Sequence, residues 1–223
     1  MQKFATAAPV SAVLDIAAGR IRLVAADRAD TTVEVRPADA SKGRDVKAAE
    51  QIEVGYADGV LQIRTAEPKN QLFGSSGSVE VTVQLPAGSR IEAKAALAEL
   101  NGVGRLGDVA LDAAQATVRL EETASARLTL QAGDVTVGRL GGPAEISTQK
   151  GDLRIDEAVR GTVTLRTEHG GISIGAAQGV SATLDAGTGH GRIHNALQNS
   201  DGASAALHIR ATTSYGDITA RSL

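Results

Sequence analysis

Gly133-Asp134-Val135-Thr136-Val137, followed by Gly151-Asp152-Leu153-Arg154-Ile155, is the stretch on which the fold turns. In each copy apolar and polar residues alternate. Val135 and Val137, or Leu153 and Ile155, therefore point to one side of a strand, and Thr136 or Arg154 points to the other. The element returns at Gly107-Asp108-Val109-Ala110-Leu111 and at Gly170-Gly171-Ile172-Ser173-Ile174. Degraded copies stand at Gly191-Arg192-Ile193-His194-Asn195 and Gly216-Asp217-Ile218-Thr219-Ala220, and the glycine spacings are 26, 18, 19, 21 and 25. A second alternating run lies between successive glycines, for example Ala144 to Thr148 and Thr162 to Thr167, so each repeat holds at least two short strands.

A repeat of about 20 residues cannot bury one apolar row alone, but copies stacked about 4.8 Å apart join their rows into a continuous core. The expected fold is all-β, a single-stranded right-handed β-solenoid, the hand following from the crossover rule for parallel strands. The glycines supply corners, and Asp108, Asp134, Asp152 and Asp217 accept turn amide hydrogens beside Gly107, Gly133, Gly151 and Gly216. Composition agrees: aromatic residues make up 2% of the 223, so the core must be built from Val, Leu, Ile and Ala.

The chain is read as one domain over 1–223, regular from 78 onward and less regular over 1–77. Strands are expected at Val10 to Ile16, Arg20 to Val24, Thr31 to Arg36, Gln51 to Gly55, Val60 to Thr65, Ser78 to Leu85 and Arg90 to Ala95. Asp58-Gly59 between two of them signals a hairpin. Asp45 to Glu50 suggests a short capped helix, the only one. Glu67 to Gly77 reads as a protruding loop in which Leu72 and Phe73 anchor a partner or fold back over an edge. The late coils up to Leu223 leave a C-terminal edge expected to pair with a second copy, giving a homodimer through a solenoid end.

Several function classes fall away. With zero Cys there is no thiol nucleophile and no thiolate metal site. Lys and Arg number 23 against 26 Asp and Glu, without a basic patch, so no nucleic acid is expected. No apolar run reaches membrane-spanning length, and the N-terminus lacks a secretory pattern, so the expectation is a cytoplasmic protein without membrane insertion. Gly102 to Gly107 matches G-x-G-x-x-G, but a strand pattern follows where a dinucleotide site needs a helix. His190 and His194 lie too far apart on a strand to share a metal. No cofactor, metal or catalytic residue is expected.

Val79-Glu80-Val81-Thr82-Val83-Gln84-Leu85-Pro86-Ala87-Gly88-Ser89, followed by the Gly-Asp corners, resembles the bacterial DUF4097 or toastrack family, a group of adhesin-like β-strand repeat proteins. The resemblance implies a β-helix-like fold, an association in several members with envelope-stress or surface systems, and no catalytic residues to carry over.

Stacking makes columns the units of function. The position before each corner glycine reads Leu106, Ala132, Lys150, His169, His190 and Tyr215, and Arg192 follows one of those glycines. Lys150, His169, His190, Tyr215 and Arg192 are therefore the candidate binding column for an unidentified protein partner. Exposed turn residues without a role are the plainer reading. A column of stacked carboxylates suggests calcium as an alternative to turn capping. A carbohydrate-binding or polysaccharide-acting β-helix is the other functional reading, weakened by the absence of Trp.

Overall fold

The computed structural model describes residues 1–66 and 77–223, so the expected anchors Leu72 and Phe73 lie outside the described residues. Its strands form an open, mixed sheet, and the described chain falls into two compact units, Met1–Ala116 and Thr117–Leu223.

The first unit contains β1 (Gln2–Ala5), β2 (Ser11–Ala26), β3 (Asp30–Pro37), helix α1 (Gly43–Glu50), β4 (Ile52–Ala57), β5 (Val60–Thr65), β6 (Val79–Pro86) and the start of β7 (Arg90–Ala132). β2 is central: it pairs in parallel with β5 through Ser11 to Asp15, with β6 through Gly19 to Ala26, and with β7 through Ser11 to Val24. The two runs read separately from the sequence, on either side of Gly19, are thus one strand. Its even-then-odd burial, with Ala12, Leu14 and Ile16 and then Ile21 and Leu23 at 1% exposure or less, records a change of face in between. The Asp-Gly hairpin is present, with β4 antiparallel to β5 and positive φ at Asp58 (50°) and Gly59 (79°).

The helix departs from the expectation. It starts at Gly43, and its N-cap Lys42 makes no side-chain capping bond. Asp45, expected near the start, is inside the first turn and buried, where its carboxylate accepts the Ser78 amide at 3.0 Å. The carboxylate thus ties the helix to the entry of β6 instead of capping its own turn. A 3₁₀ turn at Gly202–Ser204 is a second helical element.

The second unit holds residues 117–132 of β7, then β8 (Val135–Leu140), β9 (Ala144–Lys150), β10 (Leu153–Ala158), β11 (Gly161–His169), β12 (Ile172–Ala176), β13 (Ala182–His190), β14 (Ile193–Ala196), β15 (Leu207–Tyr215) and β16 (Ile218–Ser222). These strands form two parallel ladders. One runs β7, β8, β10, β12, β16, β14, and the other runs β7, β9, β11, β15, β13. Each column of the first ladder starts with an aliphatic: Val118, Val135, Leu153, Ile172 and Ile218 are all buried. The second contributes Leu128, Ile146, Leu165 and Ala211 in one register row. Full burial of such a side chain is worth roughly 1.5–3 kcal/mol, which makes these rows the dominant stabilising term.

Spatial order differs from chain order at the end. β15 sits between β11 and β13, and β16 sits between β12 and β14. The last strand pair is therefore internal, and the preceding pair, β13–β14, forms the edge of both ladders. The expectation of an open edge at the C-terminal strands is corrected: β16 is bonded on both sides, because the aliphatic row of Leu207, Ile209, Ala211, Ile218 and Ala220 is suited to cover on both sides.

Candidate functional site

The corners of the second unit build the candidate site. Each has the form Thr-x-x-Gly, at Thr148 to Gly151, Thr167 to Gly170, Thr188 to Gly191 and Thr213 to Gly216. Thr167 donates its hydroxyl to the Gly151 carbonyl at 3.0 Å, Thr213 to Gly170 at 2.9 Å and Thr188 to Gly216 at 2.9 Å. These three threonines thereby tie their corners to the neighbouring ones, whereas the Thr148 hydroxyl donates to the Lys150 carbonyl of its own corner at 3.3 Å. This Thr-x-x-Gly signal is present in the sequence beside the glycine and aspartate pattern, which does not reveal it. At Gly216 (φ 153°) a Cβ would stand 2.0 Å from the Gly170 carbonyl oxygen, so the close approach itself demands glycine.

The aspartates act between neighbouring corners. Asp134 accepts the Asp152 amide at 2.9 Å, Asp152 accepts that of Gly171 at 2.7 Å, and Asp217 accepts that of Arg192 at 2.8 Å. Capping is thus the observed role, directed across the ladder and not within one turn. Asp217 does not follow Asp152 in the column: Gly171 stands between them. Arg192 also lies beside Asp217, Nη2 to Oδ2 at 3.3 Å, and these bonds hold the Asp217 carboxyl below its ordinary value. In the first unit Gly107 donates its amide to the Ser89 carbonyl. Among the described residues no three His, Asp or Glu side chains converge as a metal site.

Lys150, His169, Tyr215 and His190 occupy one register row, in that spatial order. The sequence placed the same residues in one column but with His190 before Tyr215, because it assumed that strands stack in chain order. The row is exposed. The His169 and Tyr215 rings are 5.0 Å apart and 11° from parallel, and the His190 and Tyr215 rings are 4.7 Å apart and 13° from parallel. Both distances match the strand spacing, so the sheet itself sets the ring stack. Tyr215 is 52% exposed at its edge while both faces are covered by imidazoles. Arg192 flanks the row one position beyond the corner.

The arrangement offers an ammonium, two imidazoles, a phenol and a guanidinium on a rigid backbone. A hydroxyl–imidazole pair lies elsewhere, on the outer face of the second ladder. There Thr183 Oγ1 and His208 Nδ1 are 2.9 Å apart beside a shallow cavity of about 410 Å³ that Asp185 and Arg210 also line. In the first unit a cavity of about 680 Å³ is lined by Asp39, Lys42, Arg44, Asp45 and Leu97. The Ser41 hydroxyl and amide, with Lys42, hold Asp39 down at about 2. Among the described residues no helix is long and apolar enough to cross a membrane.

Among solved structures, a candidate adhesin from Parabacteroides distasonis is 15% identical with a TM-score of 0.48, the match covering 98% of this chain and 95% of that one. A candidate cell adhesion protein from Clostridium sporogenes is 12% identical with a TM-score of 0.39, covering 100% of this chain and 98% of that one. A candidate lipid binding protein from P. distasonis is 10% identical with a TM-score of 0.47, over 98% and 95% of the two chains. No curated protein sequence matches. The family model for Toastrack DUF4097 matches residues 13–222, nearly the whole chain, and the protein therefore belongs to the Toastrack DUF4097 family.

Proposed function

We propose that the protein is a non-catalytic scaffold, a right-handed β-solenoid whose exposed corner column binds a protein partner. The observation that carries the reading is the in-register row Lys150, His169, Tyr215, His190, with Arg192 beside it. Backbone ladders fix the spacing of these groups, and the stacked rings of His169, Tyr215 and His190 are already ordered, so these three lose little side-chain freedom when a partner binds. Tyr and Arg are the side chains most often found at the energetic centre of interfaces. By family resemblance the setting is a bacterial stress or regulatory system, and the proposal places the chain in the cytoplasm.

Carbohydrate binding is the weaker reading for a specific reason. A sugar stacks on an aromatic face, and both faces of Tyr215 are occupied by His169 and His190.

The test is a pull-down from the source bacterium with wild type and a Tyr215→Ala/His190→Ala variant in parallel, read by mass spectrometry. The expected result is one protein retained by wild type and lost from the variant. Equal retention by both would remove the column from the interface. Glycan-array binding that disappears in the same variant would favour the carbohydrate reading.

A further inference from the structure

The pair β15–β16 lies between strands that precede it in the chain, and that placement has two solutions. β15 is in register with β11 on one side and β13 on the other, so Leu207 faces both Gly161 and Ala182, and Tyr215 faces both His169 and His190. β13–β14 carries the same register marks and a corner of the same form. Its register therefore allows it to stack directly on β11–β12, with Thr188 in the place of Thr213 at the Gly170 carbonyl. Two features select the observed order. The aliphatic row of β15–β16 is fully buried, whereas Leu184 and Ala186 are half-buried and Ile193 is 45% exposed. The relay adds a bond: Asp217 accepts the Arg192 amide, but neither Gly171 nor Arg192 carries a carboxylate that could do the same in the sequential order.

β15–β16 must thus enter a slot whose walls, β11–β12 and β13–β14, belong to earlier chain. Those walls recognise backbone register, apolar fit and Asp217, none of which distinguishes the chain's own last strands from another copy's. In the stretch that leads into the insert, residues 198–202 together with Ser204 and Ala206 are exposed, whereas Ala205 is buried. The crossings from the first ladder to the second at 124–125, 141–143 and 159–160 use two or three residues, and the one at 177–181 uses five, so the ten residues of 197–206 are the longest among them. The start of this long linker is pinned to its own copy, through Ala182 to the Gln198 carbonyl and through Ser181 Oγ to the Ser200 and Asp201 amides. The Ala206 carbonyl already accepts the Gly161 amide of β11, so the hinge is 202–205, a 3₁₀ turn closed by local bonds from the Ser204 amide to the Asp201 carbonyl and from the Ala205 amide to the Gly202 carbonyl.

We propose that β15–β16 is an exchangeable insert and that the slot between β11–β12 and β13–β14 accepts it from a second copy of this chain. Exchange keeps every ladder bond and changes only the linker, so concentration decides between the closed monomer and the exchanged dimer. In that dimer the ring stack is composite: Tyr215 of one copy sits between His169 and His190 of the other.

The chain contains no Cys, which allows a clean test with single cysteines. Thr164 and Arg210 are register partners across the wall and the insert. A full-length Thr164→Cys chain and a full-length, differently tagged Arg210→Cys chain are mixed, unfolded, refolded together at low and high concentration, and oxidised. The expected product is a mixed disulfide dimer several-fold in excess of either same-chain dimer, rising with refolding concentration. Wild type refolded at the high concentration is expected to show a dimer by light scattering. Mixed dimers no more abundant than same-chain dimers, or wild type that remains monomeric at every refolding concentration, would overturn the proposal.

Discussion

The strand pairs β13–β14 and β15–β16 lie side by side and share a corner design, yet their burial differs. Thr188 to Gly191 and Thr213 to Gly216 have the same Thr-x-x-Gly form and the same hydroxyl-to-carbonyl bond. Ile218 is 0% exposed, whereas Ile193, its direct register partner, is 45% exposed. Position in the stack makes the difference: Ile218 has a strand on both sides, and Ile193 has one on one side only. A repeat motif thus specifies local geometry, while neighbours on both sides convert that geometry into stability.

Removing the buried aliphatic is the strongest way to break the comparison. Ile218→Ala is expected to cost about 2–5 kcal/mol in urea unfolding, and Ile193→Ala under about 1 kcal/mol. Equal losses would mean that the edge pair is covered in solution. Gly216→Ala comes next, because a Cβ there would stand 2.0 Å from the Gly170 carbonyl oxygen, whereas Gly187 in β13 has nothing within 4 Å. The expected losses are about 1–3 kcal/mol or more for Gly216→Ala and near zero for Gly187→Ala, read from the same unfolding curves.

Thr213→Val sharpens the comparison at the level of one hydroxyl. It removes the donor to the Gly170 carbonyl while conserving shape, for an expected loss of about 1 kcal/mol, and Thr188→Val at the open edge should lose less. The smallest effect is a pH dependence. The Asp217 carboxyl lies below its ordinary value because the Arg192 amide and guanidinium bond its charged form. Its contribution is complete above the unfolded-state value, about 4, and is lost as pH falls through the lowered folded-state value. Asp217→Asn should therefore lower the melting temperature slightly at neutral pH, and the gap to wild type should close on acidification.

Much of this could be read from the chain in advance. Leu153-Arg154-Ile155 and Val135-Thr136-Val137 predicted both face and register, and they pair residue for residue. The column of Lys150, His169, His190 and Tyr215 followed from equal spacing before each corner glycine. The direction of each aspartate's bond did not follow, because a carboxylate beside a corner can cap its own turn or the next one with the same sequence. Nor was the helix start legible, since Asp45 looks like a capping residue until Ser78, 33 positions on, claims its carboxylate.

The sequence by itself determined the strands, their inner and outer faces, the glycine corners and the membership of the side-chain column, because these depend on period-two alternation and on local backbone sterics. Only the tertiary structure decided the order of the strand pairs, and with it that Tyr215 lies between two histidines and that β13–β14 is the edge. The reason is physical: every pair presents the same backbone hydrogen-bonding edge, so local pattern cannot rank neighbours. The ranking falls to long-range terms, the burial of Leu207, Ile209 and Ile218 from both sides and the carboxylate of Asp217 beneath the Arg192 amide.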